Sequence, residues 1–201
     1  MGNQHRGNLM IVAFTLSGFV LGGIFSHDRH GLASQGSKPM NVTRVTVEHI
    51  RVVAEKPFDQ VTKAFEKQLG QFDPEVYKSL AAGEDVEKAR KKIEAMVGPS
   101  GLMLFRTSNH GALLRVAGQK KKAIQYLVGN PLFAMQMTQH DIRASLYAPL
   151  RVLIYENEEG KTSVEYDSAS SLFGQFGNTK VTEVATMLDR KLEQLVAQAI
   201  L

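Results

Sequence analysis

The side chains of this chain that could do chemistry are few and far apart in sequence. Asn130 stands between Gly129 and Pro131. Proline excludes helical geometry at the residue before it and suits the first turn of a helix, so Asn130 reads as a helix cap. The free amides that follow Pro131 could also take an anion, because a helix N-terminus gathers unpaired donors. Arg151 could then supply a two-pronged contact to a carboxylate or phosphate. Its competing reading is an ion pair inside a sheet, with Asp167 as partner. His110, His140 and Asp141 fit no metal-ligand spacing, and His140-Asp141 is more simply a helix-end contact and a cap, so no metal is expected. Tyr126, Tyr147, Tyr155 and Tyr166 read as core or interface aromatics with a reachable hydroxyl, and lining a pocket is their second reading. The candidate ligand-binding set is therefore His110, Asn130, Tyr147, Arg151, Tyr166 and Asp167.

Composition removes several chemistries. There is no cysteine, which excludes thiol nucleophiles, cysteine-held zinc and iron–sulfur clusters. No nucleophile elbow, phosphate loop, dinucleotide fingerprint or pair of helical histidines is present. No catalytic residue and no cofactor are assigned. The 24 Lys and Arg face 20 Asp and Glu, a balance too even to argue for a nucleic-acid partner. The basic run Lys88–Lys92 reads as the solvated face of a helix, its charges offset by Glu84 and Glu87 four residues earlier.

The elements that position these residues follow from periodicity. Val45, Val47, Ile50 and Val52 predict a first strand, with a change of parity that suggests a bulge near Glu48 and His49. Pro57 opens a helix striped by Phe58, Val61, Phe65 and Leu69, and Gly70 closes it. Residues 71–100 read as a helical insertion: a short helix after Asp73-Pro74, then one with Val86, Ile93 and Val97 on one side. Strands are predicted over 102–107 and 124–128; Asn109 to Ala117 between them reads as a short helix, with a hairpin arm as the alternative. A helix runs from Leu132 to Gln139. Residues 150–155 and 162–166 form a hairpin around Asn157-Glu158-Glu159-Gly160. Val181, Val184, Leu188, Leu195 and Ala199 stripe a closing helix. This order predicts a two-layer α+β domain, a mostly antiparallel sheet of about five strands with helices packed on one face.

The N-terminus reads differently. From Leu9 to Phe25 no residue is charged and ten are strongly apolar, together about −3 to −6 kcal/mol toward membrane insertion. A helix over this run is about 25 Å long, near the lower limit of a bilayer span. Residues 1–26 are read as an uncleaved signal-anchor, with a cleaved signal peptide as the alternative. Residues 27–42, rich in Gly, Ser and His, read as a flexible tether, and residues 43–201 as the folded domain. The expected place is the cell membrane, single-pass, with the domain on the periplasmic or extracellular side, or secreted if the leader is removed.

Between residues 126 and 167 the pattern becomes specific. Tyr126-Leu127-Val128-Gly129-Asn130-Pro131, then Tyr147-Ala148-Pro149-Leu150-Arg151-Val152-Leu153-Ile154-Tyr155-Glu156, then Val164-Glu165-Tyr166-Asp167 resemble domain-of-unknown-function family 302. The resemblance covers roughly residues 43–200 apart from the insertion. It implies a TATA-binding-protein-like α+β fold and a homodimer, and it implies no activity. The family pattern carries cysteines before the Asn-Pro pair and after the later proline. Gly129 and Leu150 stand at these positions here, so thiol chemistry is ruled out for this chain. The expectation is a membrane-tethered binding or interaction domain without catalysis. The alternatives are a small-molecule enzyme with His110, Asn130 and Arg151 at its site, or a structural subunit of a membrane complex.

Overall fold

The structure, a computed structural model, describes residues 40–201. In chain order its elements are β1 (His49–Ala54), α1 (Phe58–Lys67), β2 (Gly70–Gln71), α2 (Glu75–Ala81), α3 (Val86–Ala95), β3 (Met103–Asn109), α4 (His110–Leu114), β4 (Ala123–Gly129), α5 (Pro131–Thr138), β5 (Leu150–Glu156), β6 (Thr162–Asp167), α6 (Ala169–Gly174) and α7 (Thr179–Ile200). Short 3-10 turns follow α4 and precede β5. The leader expected over residues 1–26 and nearly all of the tether lie outside the described residues. Among the described residues no helix is long and apolar enough to cross a membrane.

The strands form one six-stranded sheet in the order β1-β6-β5-β4-β3-β2. Neighbours are antiparallel except β2, which runs parallel to β3. The sheet is therefore mixed and one strand larger than the expected five. The extra strand is two residues long and begins at Gly70, the residue expected only to end α1. A pair this short leaves no alternation to read. Glycine makes it possible: a Cβ at Gly70 would fall 1.7 Å from the Met96 carbonyl oxygen, and one at Gly98 would fall 2.2 Å from the Gly70 nitrogen. With no side chains between them, the two backbones touch, and both amides donate to the Leu102 carbonyl at 3.0 and 3.1 Å.

Period-two alternation sorts the sheet into two faces. Val52, Tyr126, Val128, Val152, Ile154, Val164 and Tyr166 share one face, paired across the strands as Tyr126 with Val152, Val152 with Tyr166, and Val52 with Val164. Helix α1 lays Phe58, Val61 and Phe65 on this face, and α7 lays Val181, Ala185, Leu188, Leu192 and Leu195 there. Each fully buried apolar side chain of this kind contributes roughly 1.5–3 kcal/mol. Met103 is out of phase with Leu104 and packs instead with Val76, Ala89 and Ile93, a second small core built by α2 and α3. The insertion thus adds its own layer beside β3.

Three local expectations are corrected. The first strand begins at His49, not Val45, because β6 ends at Asp167 opposite His49; beyond that pair Glu48 is held only by the turn that follows β6, its carbonyl accepting from the Ser168 amide at 2.8 Å. The irregularity of register lies between Leu104 and Arg106 of β3, not at Glu48 and His49. Helix α3 buries Ala89 and Ile93 while Val86, at its first turn, is exposed.

Candidate functional site

The two most distinctive sequence stretches meet at one end of the sheet. Val128 pairs with Leu150, so the turn Gly129-Asn130-Pro131 that leaves β4 lies beside the turn Ala148-Pro149-Leu150 that enters β5. Asn130 takes an extended conformation, as the following proline requires, with φ −143° and ψ 122°. Its side-chain oxygen accepts from the Leu132 amide at 2.9 Å and its side-chain nitrogen donates to the Gly101 carbonyl at 3.1 Å. Asn130 is thus a helix cap whose two polar ends are both engaged. It also ties the start of α5 to the loop before β3.

Between these turns lies an apolar cleft. Its floor is Gly129 and Leu150; Phe105, Phe133 and Met137 form walls; Tyr77 reaches in from the insertion. Phe173 and Leu188 close it from the side of α6 and α7. The cavity proper is about 70 Å³ and opens into a wider space of about 440 Å³. That is roughly half of the ~150 Å³ that admits a benzene ring, so a slender apolar group fits without rearrangement. No Cβ obstructs the floor at Gly129.

The other expected site residues lie elsewhere. Tyr147, Arg151 and Asp167 line a separate shallow depression with Leu172. The Tyr147 hydroxyl faces Gln175 Oε1 at 3.4 Å. Asn130 and Arg151, expected to grip one anion together, line different depressions, and the Leu132 amide is already taken by Asn130. Arg151 forms no ion pair among the described residues. Its expected partner, Asp167, instead holds His49 Nδ1 at 2.8 Å. Tyr166 faces a third cleft, beside α7. His110 opens α4 at the Ala123 end of β4, whereas Asn130 follows the other end. Six residues of strand separate the two ends, about 20 Å. His110, Asn130 and Arg151 therefore do not converge.

The sheet face away from α1 and α7 carries an ionic network that sequence reading missed. Glu165 accepts from Tyr155 Oη at 2.5 Å and from His49 Nε2 at 3.0 Å, and Arg51 Nε donates to it as well. Both imidazole nitrogens face a carboxylate, Asp167 at 2.8 Å and Glu165 at 3.0 Å, an arrangement that favours the protonated ring, which donates from both. Hydrogen bonds to Asp167 and then Glu165 raise the His49 pKa accordingly. Burial pushes the Glu165 carboxyl up, yet the bonds from Tyr155, His49 and Arg51 outweigh it and leave the pKa lowered. The network clamps edge strand β1 to β6, and two of its members, Arg51 and Tyr155, border a wide, open depression of about 560 Å³. Period-two spacing of His49 and Arg51 against Glu165 and Asp167 was the available signal, but it requires knowing that β1 pairs with β6. The residues walling the apolar cleft were missed for a different reason: Phe105, Phe133 and Met137 look like core until the fold shows a gap between them.

Comparisons with known proteins agree with this architecture. A crystal structure of an uncharacterized conserved DUF302 protein from Bacillus stearothermophilus is similar with a TM-score of 0.54 at 13% sequence identity, covering 75% of this chain and 97% of that one. At that identity the likeness speaks for the fold alone. No curated protein matches the chain. The family described as Domain of unknown function DUF302 matches residues 77–199, and the chain belongs to that family.

Proposed function

We propose that the domain is a binding module that seats a slender apolar group in the cleft between the Gly129-Asn130-Pro131 and Ala148-Pro149-Leu150 turns, with no catalysis of its own. The apolar leader favours delivery of this module to the outer side of a membrane, as a tethered domain. The single observation behind the binding reading is the cleft itself. It is walled by aromatic and aliphatic side chains from six separate elements, and its only buried polar side chain, Asn130, has both ends engaged by the protein. Such a site selects by shape and hydrophobic burial rather than by charge.

Titration with n-hexanol, followed by NMR of aromatic and methionine methyl signals, tests it. Saturable shifts confined to Phe105, Phe133, Met137 and Phe173, lost in Gly129→Val, are expected. Shifts spread over the surface, or unchanged in that variant, would refute the cleft as the site. The tethering is tested separately by a reporter fused after residue 40: it should be membrane-bound and outside the cytoplasm. Pairing with a second copy of the chain is the partner this reading carries, and native mass spectrometry should return twice the chain mass.

A further inference from the structure

A second cleft, on the helix-covered side of the β1 edge, has a different chemistry. The carboxylates of Glu48, Asp189 and Glu193 line it, with Ile50 and Val52 along its flank and Ser168 and Tyr166 at its base. In a chain with more cations than anions, none of these carboxylates makes an ion pair among the described residues. The position of Asp189 is fixed: it accepts from the Ala169 amide at 2.5 Å, from the Ser170 amide at 3.1 and 3.3 Å, and from Ser168 Oγ at 3.3 Å. Glu48 and Glu193 have no such partners for their carboxylates.

The independent observation is Tyr166. Its ring is part of the main core, the residue is only 7% exposed, and its hydroxyl has no hydrogen-bond partner among the described residues. The ring is buried but the oxygen is not sealed: it reaches solvent through the cleft.

We propose that this cleft binds a primary ammonium group on a short aliphatic stem: Glu193 and Glu48 take the charge, Tyr166 Oη accepts one N–H, and the stem lies along Ile50 and Val52. An ammonium offers three donors and tolerates an apolar stem against protein surface. A metal ion fits less well. Half of the lining is apolar, the Asp189 oxygens are turned toward backbone amides, and no three acidic or histidine side chains among the described residues are placed to hold a metal. Burial, and then the charges of Glu193 and Asp189, raise the Tyr166 pKa, so the phenol stays neutral beside the carboxylates. This site is separate from the apolar cleft and does not depend on it.

The test is an NMR titration of the full chain in neutral detergent with n-butylammonium chloride, following the amides of residues 48–52, 166–168 and 189–193. Saturable shifts there are expected, with affinity lowered about fivefold by Glu193→Gln and by Glu48→Gln, the cost of losing one partly solvated ion contact. Tyr166→Phe should weaken butylammonium while keeping the fold, read from unchanged amide shifts elsewhere. Tetramethylammonium, which has no N–H, should bind more weakly than butylammonium. A Gly-Lys-Gly tripeptide run in parallel identifies the source: tighter binding than butylammonium assigns the ammonium to a lysine side chain, weaker binding to a free amine, and both uphold the site. Equal shifts from sodium chloride at matched ionic strength would overturn the proposal. So would Glu193→Gln binding as tightly as the parent, or calcium chloride saturating the cleft where butylammonium does not.

Discussion

Two glycine-to-alanine exchanges should move stability in opposite directions, and one of them should also close the apolar cleft. At Gly129 an added Cβ would stand 3.6 Å from Phe105 Cε2 and 3.8 Å from Pro149 Cα and Cβ, ordinary contact distances. The backbone there is not left-handed, so alanine adds no strain. Reduced freedom of the unfolded chain contributes about 0.4–1 kcal/mol, and burying one methyl group about 0.8 kcal/mol. Gly129→Ala should therefore stabilise the domain by about 1–2 kcal/mol, raising Tm by about 2–8 °C. The same methyl enters a cavity of only about 70 Å³, so hexanol binding should weaken sharply. At Gly98 the added Cβ would meet the Gly70 nitrogen at 2.2 Å and the Leu69 carbonyl carbon at 2.4 Å. Those atoms are backbone and cannot step aside, so Gly98→Ala should cost about 1–3 kcal/mol or more. Thermal unfolding by circular dichroism reads both changes. If Gly129→Ala lowered Tm, the open floor of the cleft would be an error; if it raised Tm but left hexanol binding intact, the cleft would not be the binding site.

The remaining predictions concern single contacts. Asn130→Ala removes a cap and the bond to Gly101 together and should cost about 1–2 kcal/mol in urea unfolding; an effect below about 0.3 kcal/mol would refute the capping role. Tyr126→Phe removes the 2.8 Å bond from a fully buried ring to the exposed Glu66. About 1 kcal/mol should be lost, since Glu66 can turn to water, and the same unfolding measurement checks it. For His49, the folded-state pKa is raised, so protonation stabilises the fold. That contribution is complete below about pH 6.5 and fades as pH rises through the higher folded value. The stability gap between the parent and His49→Asn should be present at about pH 6 and closed at about pH 9; a gap independent of pH would show that the imidazolium clamp is absent.

What the sequence made legible, and what it did not, divides by the range of the interaction responsible. Asn130-Pro131 and the Asn157–Gly160 turn act through their own backbone geometry, and the structure has a capped helix and a hairpin turn where they stand. Long alternating or striped segments were equally plain, because burial of one face needs no particular partner. The two-residue strand at Gly70 was invisible since its cause is the absence of a side chain at Gly98, twenty-eight positions away. Site residues suffered most from this division. Arg151 and Asp167 stand at facing positions on β5 and β6, which suggested an ion pair. The carboxylate went instead to His49 on a strand 118 positions distant in sequence. Tyr166 shows the same logic in reverse. Its strand position marks it as core, which its ring is, while the function we propose for it resides in one oxygen atom. That atom's surroundings are set by Glu48 and Glu193, from the two ends of the domain. Core periodicity places a side chain on a face; only the packing of β1 and α7 decides whether its polar tip meets a partner or a cleft.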